Sequence, residues 1–378
     1  MSVKRKVIGV LLALVIIAMA AGIGGAVNCN NLFRLGEGTD LIQQAWSVIL
    51  TNYVERDNLD TAALSHGAIQ GIMEALDDPY SFYMTAEEYQ VYSSGFEGEF
   101  EGIGAYVSVD NGQLIITVPI EGSPAEKAGI LPGDIIVEVE GEPVADMTYT
   151  EALLRIRGPE GTSLNLLIER EGVAEPFVVN ITRAKVEIPS VILEMNRDYA
   201  HITITSFTDR TGDELSAILE NIDENTVRGI VLDVRGNPGG TIGTVITAAS
   251  HFIAEGKILD IRDNQGEITT YNRVDVSPYI DLPMVVLVDE YSASGSEVLS
   301  GALQDHGRAI IAGKTTYGKG SVNELIRLKD GSAIYLTVAR WLTPDGHLIE
   351  GQGIVPDIEI DLTGDDAVDW AIDYLENH

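Results

Sequence analysis

A serine that follows a predicted buried strand is the first residue in this sequence with clear catalytic potential. Ser294 comes shortly after the apolar run 283–288 and stands at the start of a predicted helix. The N–H groups left free at a helix start can stabilise a developing oxyanion, so the position suits a nucleophile. A serine there is also a common helix N-cap, and the position alone does not separate the two roles.

A serine nucleophile needs a base, and Lys319 is the candidate. It lies between Gly318 and Gly320, which would let the chain fold tightly around its side chain. A lysine is a base only when neutral, against an ordinary pKa of about 10.4, and burial lowers that pKa. The six histidines stand in unrelated contexts, and we interpret them as surface or structural residues. Taken alone, Lys319 is equally compatible with a surface cation.

The elements that would position these two residues alternate between strand and helix. The continuous apolar runs 229–234 and 283–288 predict strands covered on both faces, and 308–312 predicts a third. A glycine-rich turn, 236–240, leads into a helix predicted to run through Ala254. This order favours a parallel sheet with right-handed crossovers. We therefore predict an α/β core from about residue 186.

The preceding segment has a different texture of short strands and glycine turns. Two apolar runs, 105–109 and 114–118, flank an Asp-Asn-Gly turn, which predicts a hairpin. A short helix is predicted at 148–157, before a strand at 164–169. The sequence therefore predicts a small β-rich α+β module.

Residues 37–95 are predicted to be helical because apolar residues recur at helical spacing in two stripes. Pro79, preceded by two aspartates, is expected to end the second helix. The stripes fit an ordinary core, and a surface for a partner or a homodimer stays open as an alternative.

The N-terminus predicts a signal anchor over residues 1–30. A basic flank, 4–6, precedes the apolar run 7–27, which is long enough to span a bilayer. The basic flank should stay in the cytoplasm, so the rest of the chain is expected to be membrane-anchored and extracytoplasmic. Cleavage after Ala20 would instead make the protein secreted.

Charge and cysteine content exclude other classes. Lys and Arg total 24 against 58 Asp and Glu, a formal net charge of −34, so the surface repels phosphate backbones and nucleic-acid binding is not expected. The single cysteine, Cys29, excludes an intramolecular disulfide. It also lacks the small residue immediately upstream that lipoprotein processing needs.

Two motifs together resemble a known family. The string YSASGSEVLSGALQDHGRAIIAGKTTYGKGSV, residues 291–322, closely resembles the active-site region of the C-terminal processing peptidases, or tail-specific proteases. That family's nucleophile is the serine of S-A-S-A-S-E and its base is the lysine of F-G-K-G, which fall on Ser294 and Lys319, 25 positions apart. Further matches lie at 76–83, 232–240 and 343–360. SPAEKAGILPGDIIVEVEGEPV, from residue 123, matches PDZ domains.

The resemblance implies an α/β multidomain fold. Its expected parts are an N-terminal helical segment at 37–95, a PDZ domain at 98–184, a ClpP/crotonase-like α/β protease core at 186–362 and a C-terminal helix at 363–378. It implies a serine endopeptidase that cleaves proteins near their free C-termini with a Ser–Lys pair and needs no cofactor or metal. A homodimer is also compatible with it.

The resemblance also implies supporting residues around the nucleophile. An oxyanion hole is expected from the N–H of Gly295 with that of Gly239 or Gly240. The family has a glutamine four residues after the lysine, which helps to orient it. This chain has Asn323 there, one methylene shorter, so its reach to Lys319 is an open question.

In the PDZ module the resemblance implies a loop that binds a peptide carboxylate. Backbone N–H groups of such a loop hold the C-terminus of a peptide that adds as a strand to a sheet edge. The candidate loop is Gly102-Ile103-Gly104-Ala105, whose glycines allow the carboxylate to approach the backbone. Arg157, near the end of the module, is a candidate substrate contact.

Three other functions are less consistent with the sequence. A P-loop is contradicted by Gly320, which stands where the motif needs Ser or Thr. A trypsin-like PDZ protease is contradicted by Pro238, which occupies the nucleophile position of its G-N-S-G-G motif. The remaining alternative is a membrane-tethered PDZ scaffold with an impaired protease core, which Asn323 favours and the retained Ser294 and Lys319 oppose.

Overall fold

The computed structural model describes residues 29–97, 99–110, 113–120, 122–147 and 149–378. The predicted anchor run at 7–27 therefore lies outside the described residues. Within them, no helix combines the length and apolar character needed to cross a membrane. The chain divides into two compact units, the first ending at Gly67 and the second starting at Ala68.

The N-terminal region is largely helical, as predicted. Its helices are α1 (Cys29–Asn52), α2 (Thr61–Glu74) and α3 (Ala86–Glu97), with a 3-10 turn at Arg56–Asn58. The prediction was wrong at Phe82–Met84, which form strand β1. Pro79 prevents the helix from continuing, and the aromatic residues after it favour an extended chain that pairs antiparallel with a strand of the core.

The predicted PDZ module contains a five-stranded antiparallel path, β3-β4-β5-β7-β8, with β6 paired to β5. Its elements are β3 (Ala105–Asp110), β4 (Gln113–Pro119), α4 (Pro124–Lys127), β5 (Ile135–Val139), β6 (Glu142–Pro143), α5 (Tyr149–Ile156), β7 (Ser163–Glu169) and β8 (Phe177–Thr182). The hairpin predicted at 105–118 is β3 paired with β4. Strand β2 (Glu99–Gly102) pairs with β9 (Ala184–Glu187) beside this sheet.

The core contains a six-stranded sheet in the order β10-β11-β12-β15-β16-β19. Its strands are β10 (Val191–Asn196), β11 (Tyr199–Ile204), β12 (Gly229–Asp233), β15 (Met284–Val288), β16 (Ile310–Gly313) and β19 (Ile358–Glu359). All pairings from β11 to β19 are parallel, and β12 and β15 are buried along their whole length. The predicted parallel core is therefore confirmed.

Helices cover both faces of this sheet. The helices are α6 (Thr211–Leu219), α7 (Ile242–Ser250), α8 (Gly295–Asp305) and α9 (Gly364–Asn377). Alternate residues of β12 show the two layers, because Ile230 and Leu232 pack with α6, α7 and α8 while Val231 packs with α9. Helix α7 ends at Ser250, short of the predicted Ala254. The next two backbone N–H groups bond to carbonyls three residues earlier, as in a tighter 3-10 turn.

A second sheet lies in the same unit and includes β1, β13 (Lys257–Asp263), β14 (Ile268–Asn272), β17 (Ser321–Arg327) and β18 (Ala333–Leu342). Strand β17 pairs with β18, and β1 pairs with residues 333–335 of β18. Lys319 is separated from the start of β17 by Gly320 alone. The position of β17 in this sheet therefore fixes the end of the loop that carries Lys319.

Candidate active site

Ser294 lies at the junction between β15 and α8, as predicted. Its backbone φ is 50°, in the left-handed region that a residue with a side chain rarely adopts. Hydrogen bonds from both neighbouring serines hold this turn, since Ser292 Oγ donates to Val234 O at 2.8 Å and Ser296 Oγ donates to Asn237 O at 2.9 Å. The strained junction is therefore fixed to the glycine-rich turn 236–240.

The glycine-rich turn touches the serine so closely that it has no room for side chains. A Cβ on Gly239 would lie 2.6 Å from Gly295 N and 2.8 Å from the Cβ of Ser294. A Cβ on Gly240 would collide with the carbonyl oxygen of Phe207. The structure thus brings the three glycines proposed for the oxyanion hole next to Ser294.

The N–H groups of these glycines differ in their partners. Gly239 N–H donates to Asn237 Oδ1 at 2.8 Å and is therefore occupied. In the part of the chain that the structure describes, Gly240 N–H and Gly295 N–H have no hydrogen-bond acceptor. Gly240 also lines the same cavity as Ser294. The two free donors beside Ser294 are consequently those of Gly240 and Gly295.

A buried carboxylate, Glu297, connects the serine to the lysine. Its side chain accepts Ser294 N at 2.8 Å and Lys319 N at 2.9 Å, together with Gly318 N at 2.7 Å and Thr316 Oγ1 at 2.6 Å. Burial raises the pKa of Glu297, and these donors oppose the shift. Our sequence reasoning missed this residue. The Ser-x-x-Glu spacing of a capping box signals the first contact, and no sequence pattern signals the others.

Lys319 is half-buried, and its amine lies near two aromatic rings. Its Nζ is 5.4 Å from the ring centroid of Tyr80 and 5.6 Å from that of Tyr335. Burial lowers the pKa of Lys319 below its ordinary value, against the opposing charges of Glu350, Asp78 and Glu297. The direction of this shift favours the neutral amine that a base requires.

The glycines that flank Lys319 are required by close packing. A Cβ on Gly318 would lie 3.1 Å from Gln352 N, and one on Gly320 would lie 2.5 Å from Glu350 N. The two segments are joined further by a hydrogen bond from Gly351 N to Gly318 O at 2.9 Å. The tight fold expected around Lys319 is therefore present, and the segment 349–353 supports it.

Asn323 lies in the same cavity as Ser294 and Lys319, but its amide is bonded elsewhere. Its Nδ2 donates to Tyr80 O and to Thr337 Oγ1, both at 2.9 Å, and its Oδ1 accepts from Ser321 Oγ at 3.1 Å. Among the described residues, no acceptor lies within hydrogen-bonding distance of Lys319 Nζ. The structure therefore places Asn323 near Lys319 without a direct hydrogen bond to it.

The cavity that contains these groups has a volume of about 330 Å³. Its remaining lining is mostly small or apolar, and consists of Gly240, Thr241, Ile242, Ser321, Val322, Leu325 and Tyr335. Across the described ranges, no group of three or more His, Cys, Asp or Glu residues is arranged to hold a metal ion. The chemistry available in this cavity is that of a hydroxyl, an amine and backbone N–H groups.

The residues predicted to bind a peptide carboxylate also come together. The loop Gly102–Ala105 connects β2 to β3, an edge strand of the PDZ sheet. Gly104 has φ +76°, and a Cβ there would lie 2.5 Å from the Cβ of Ser123. The Arg157 guanidinium lies 5.1 Å from the ring centroid of Phe100 in β2. Loop and arginine are therefore at one end of the module.

Three family models match the chain in order. They describe the activating protease CtpB N-terminal domain at residues 27–88, a PDZ domain at 115–170 and peptidase family S41 at 198–360. The last two ranges fall within the module and the core predicted from the sequence.

Similar proteins cover most of the chain. The carboxy-terminal processing protease CtpB of Bacillus subtilis is 36% identical over 85% of this chain and 67% of its own length. CtpA of the same organism is 37% identical over 85% of this chain and 69% of its own length. The solved structure of a photosystem II D1 C-terminal processing protease is 28% identical, with a TM-score of 0.54 over 85% of this chain and 92% of that one. The chain therefore belongs to the carboxy-terminal processing proteases of peptidase family S41, with a PDZ domain.

Proposed function

We propose that this chain is a serine endopeptidase in which Ser294 is the nucleophile and neutral Lys319 is the general base. The observation that carries the proposal is that both side chains line one cavity while Glu297 binds the backbone N–H of each. The lowered pKa of Lys319 supports its role, since a neutral amine can accept a proton.

Acylation would begin when Lys319 Nζ takes the proton from Ser294 Oγ. The oxygen then forms a bond to the carbonyl carbon of the scissile peptide, and the carbonyl oxygen becomes an oxyanion. As the C–N bond breaks, the ammonium of Lys319 returns its proton to the leaving amine. The products of this half-reaction are the released C-terminal peptide and an ester on Ser294.

Deacylation would use the same groups with water in place of serine. Lys319 takes a proton from water as the hydroxide oxygen attacks the ester carbonyl, and it then returns that proton to Ser294 Oγ as the ester bond breaks. Lysine alternates between its neutral and charged forms in both halves, so its surroundings must tolerate each form.

For the oxyanion hole, the free donors support Gly240 together with Gly295. Gly239 N–H already donates to Asn237 Oδ1, so its use would cost a buried hydrogen bond. Gly239 instead contributes by allowing the close approach to Gly295 N described above. Two preorganised N–H groups are the usual means of stabilising such a charge.

The PDZ module would bind the C-terminus of the substrate along the open edge of β3. The carboxylate would meet the backbone of Gly102–Ala105, and Arg157 provides a positive charge near the start of that edge. Helix α3 contacts α5 of the module and also directly follows β1 of the core. This connection supports a role for the module in gating the cavity. Equal turnover of substrates with free and amidated C-termini would contradict both ideas.

We also retain the proposal that the enzyme is anchored in the membrane and works outside the cytoplasm. It rests on the apolar run 7–27 and its basic flank. Release of the whole pool from membranes by high salt would contradict it.

A homodimer through the N-terminal helices remains a prediction, supported by exposed apolar residues on α1, including Leu41 and Val48. A monomer at micromolar concentration would oppose it.

The nucleophile can be tested by trapping the acyl-enzyme. A substrate protein is mixed with the enzyme, the reaction is quenched in acid, and the tryptic peptides are analysed by mass spectrometry. We expect a substrate-derived acyl group on Ser294. An acyl group on another residue, or cleavage with no acyl-enzyme at any time point, would overturn the proposed mechanism. Absence of cleavage together with C-terminal peptide binding would instead support the scaffold alternative.

A further inference from the structure

The amine of Lys319 must be directed towards Ser294, yet no described residue accepts a hydrogen bond from it. The family's glutamine position is Asn323 in this chain, and both protons of its amide are occupied by Tyr80 O and Thr337 Oγ1. Another feature must therefore hold the lysine. Two aromatic rings, those of Tyr80 and Tyr335, have their centroids within about 6 Å of its Nζ.

We propose that Tyr80 and Tyr335 form an aromatic clamp that positions Lys319, and that Asn323 acts on the lysine only through Tyr80. The inference rests on the proposed role of Lys319 as base. It assigns positioning roles to two tyrosines. It also makes the influence of Asn323 on Lys319 indirect, in place of a direct hydrogen bond between the two side chains.

The two rings reach the amine from different segments that are tied together. Tyr335 belongs to β18 and pairs with Phe82 of β1, only two residues after Tyr80. Both ring centroids lie within the roughly 6 Å over which an ammonium is attracted to an aromatic face. The pKa of Tyr80 is raised to about 12, chiefly by burial, so its hydroxyl keeps its proton at neutral pH. Tyr80 therefore shields the amine with its ring and does not compete with Lys319 as a base.

A clamp of this kind acts differently on the two forms of the lysine. The rings displace water from the amine, which disfavours the ammonium. The ring faces also attract the charge of the ammonium, which offsets part of this cost and holds the protonated lysine near the cavity. The ionisable groups that also face the amine are the carboxylates of Glu350, Asp78 and Glu297. They favour the ammonium, so the lowered pKa of Lys319 requires the burial that the clamp provides.

Asn323 fixes the position of Tyr80. Its hydrogen bond to Tyr80 O belongs to a network in which Asp78 accepts from Ser81 Oγ at 2.6 Å and Ser81 Oγ accepts from Thr337 N at 2.9 Å. This network joins the turn 78–81 to β17 and β18. A shorter side chain than glutamine suits this use, because the carbonyl of Tyr80 lies 2.9 Å from the Asn323 amide.

The clamp can be tested by titrating Lys319 directly. Protein labelled with carbon-13 at lysine Cε is titrated by NMR, and the Lys319 signal is assigned by its loss in Lys319→Ala. We expect Tyr335→Ala and Tyr80→Ala to admit water and to raise the midpoint by roughly one pH unit, a typical environmental shift. Tyr335→Phe and Tyr80→Phe, which keep the rings, should leave it unchanged. Unchanged midpoints in the alanine variants would overturn the clamp.

The role of Asn323 needs a double-mutant cycle. Asn323→Ala should raise the same midpoint when Tyr80 is present and should have no further effect in a Tyr80→Ala background. Additive effects in the double variant would show that Asn323 acts independently of Tyr80. Turnover by Asn323→Gln distinguishes the two roles. A direct contact between residue 323 and the lysine predicts that this variant is more active than the wild type, whereas the clamp predicts no increase in activity.

Failure of the clamp and failure of the proposed function have different signatures. The NMR titration does not depend on turnover, so it tests the clamp even in an inactive preparation. Cleavage that survives in Lys319→Ala would remove the lysine from the mechanism while leaving the titration result intact. In the active enzyme, the acid limb of kcat/KM should move with the NMR midpoint in each variant, and a fall in kcat without this movement would indicate a merely structural role.

Discussion

The two sides of the catalytic cavity are built in different ways. Ser294 is held by its backbone, through Glu297 and through neighbouring serines that bond to Val234, just after β12, and to the glycine-rich turn. Lys319 has its backbone N–H held by the same carboxylate, but its amine lies near two ring faces and makes no hydrogen bond to a described residue. The nucleophile thus depends on hydrogen-bond geometry, whereas the base depends on packing.

This difference matches what each group has to do. A nucleophile attacks along one direction, and a strained φ of 50° with fixed neighbours maintains that direction. A base changes its charge twice in each half-reaction, and a strong hydrogen bond to one form would oppose the other. Aromatic walls exclude water and still accept a charged amine. Variants on the two sides should therefore fail in different ways.

The largest effect is expected on the nucleophile side, from Ser294→Ala. Loss of the serine should lower kcat by about 10⁴-fold or more, as in other serine hydrolases, with little change in stability. Ser300→Ala is the matched control, because Ser300 lies on the same helix and its buried hydroxyl has no hydrogen-bond partner among the described residues. The control should retain full activity. Activity in Ser294→Ala would remove this residue from the chemistry.

Glu297→Gln should affect both sides at once. The amide keeps one acceptor oxygen, but its NH₂ group would face N–H donors in place of the second oxygen. Since a hydrogen bond to a charged group contributes about 1.5–3 kcal/mol, we expect a loss of stability of that size and a fall in kcat of roughly 10²-fold. Urea unfolding and steady-state kinetics would measure the two. An active variant of normal stability would contradict the linking role of Glu297.

The glycine-rich turn gives a test restricted to the nucleophile side. Gly239→Ala would place a Cβ 2.6 Å from Gly295 N, so activity should fall by at least about tenfold and stability by 1–3 kcal/mol, an approximate cost of overpacking. Gly243→Ala, at a helical site where no described atom beyond its chain neighbours and its own helix backbone lies within 4 Å of the added Cβ, should instead stabilise α7 by up to about 1 kcal/mol. Equal effects of the two substitutions would contradict the close approach.

The smallest expected effect concerns the base side and appears in stability against pH. Because the pKa of Lys319 is lowered in the folded state, the unfolded chain binds more protons between that value and about 10.4. The contribution of Lys319 to stability should therefore increase as pH rises through this window. Lys319→Met removes the titrating group. The free energy of unfolding of this variant should therefore exceed that of the wild type most at neutral pH, and the difference should narrow towards pH 10. If the pKa of Lys319 were ordinary, urea unfolding would show a constant difference across this range.

The sequence predicted those parts of the molecule that local patterns determine. Continuous apolar runs predicted the parallel strands β12 and β15, and two apolar runs that flank an Asp-Asn-Gly motif predicted the β3–β4 hairpin. Ser294 and Lys319 were proposed because their local motifs together resemble the active-site region of a known family. Their partners were not, because Glu297 contacts Lys319 across 22 positions and Tyr80 reaches it from far upstream.

Two departures illustrate the same limit. Residues 82–84, which form strand β1, were predicted to be helical because their pairing with β18, some 250 positions away, cannot be read from three residues. Asn323 was proposed as a supporting residue with its reach to Lys319 left open, because a single position compared with the family pattern does not decide it. Its amide protons go to Tyr80 and Thr337, contacts that depend on how three separate segments pack.

The most direct test of the proposed mechanism is cleavage of an unfolded protein with an apolar C-terminus by wild type, Lys319→Ala and Lys314→Ala. Lys314 is a suitable control because it lies only five residues away and pairs with Glu290 and Asp361 at the surface. We predict that wild type and Lys314→Ala cleave the substrate, and that Lys319→Ala does not at any pH. Cleavage by Lys319→Ala at the wild-type rate would contradict a serine–lysine mechanism.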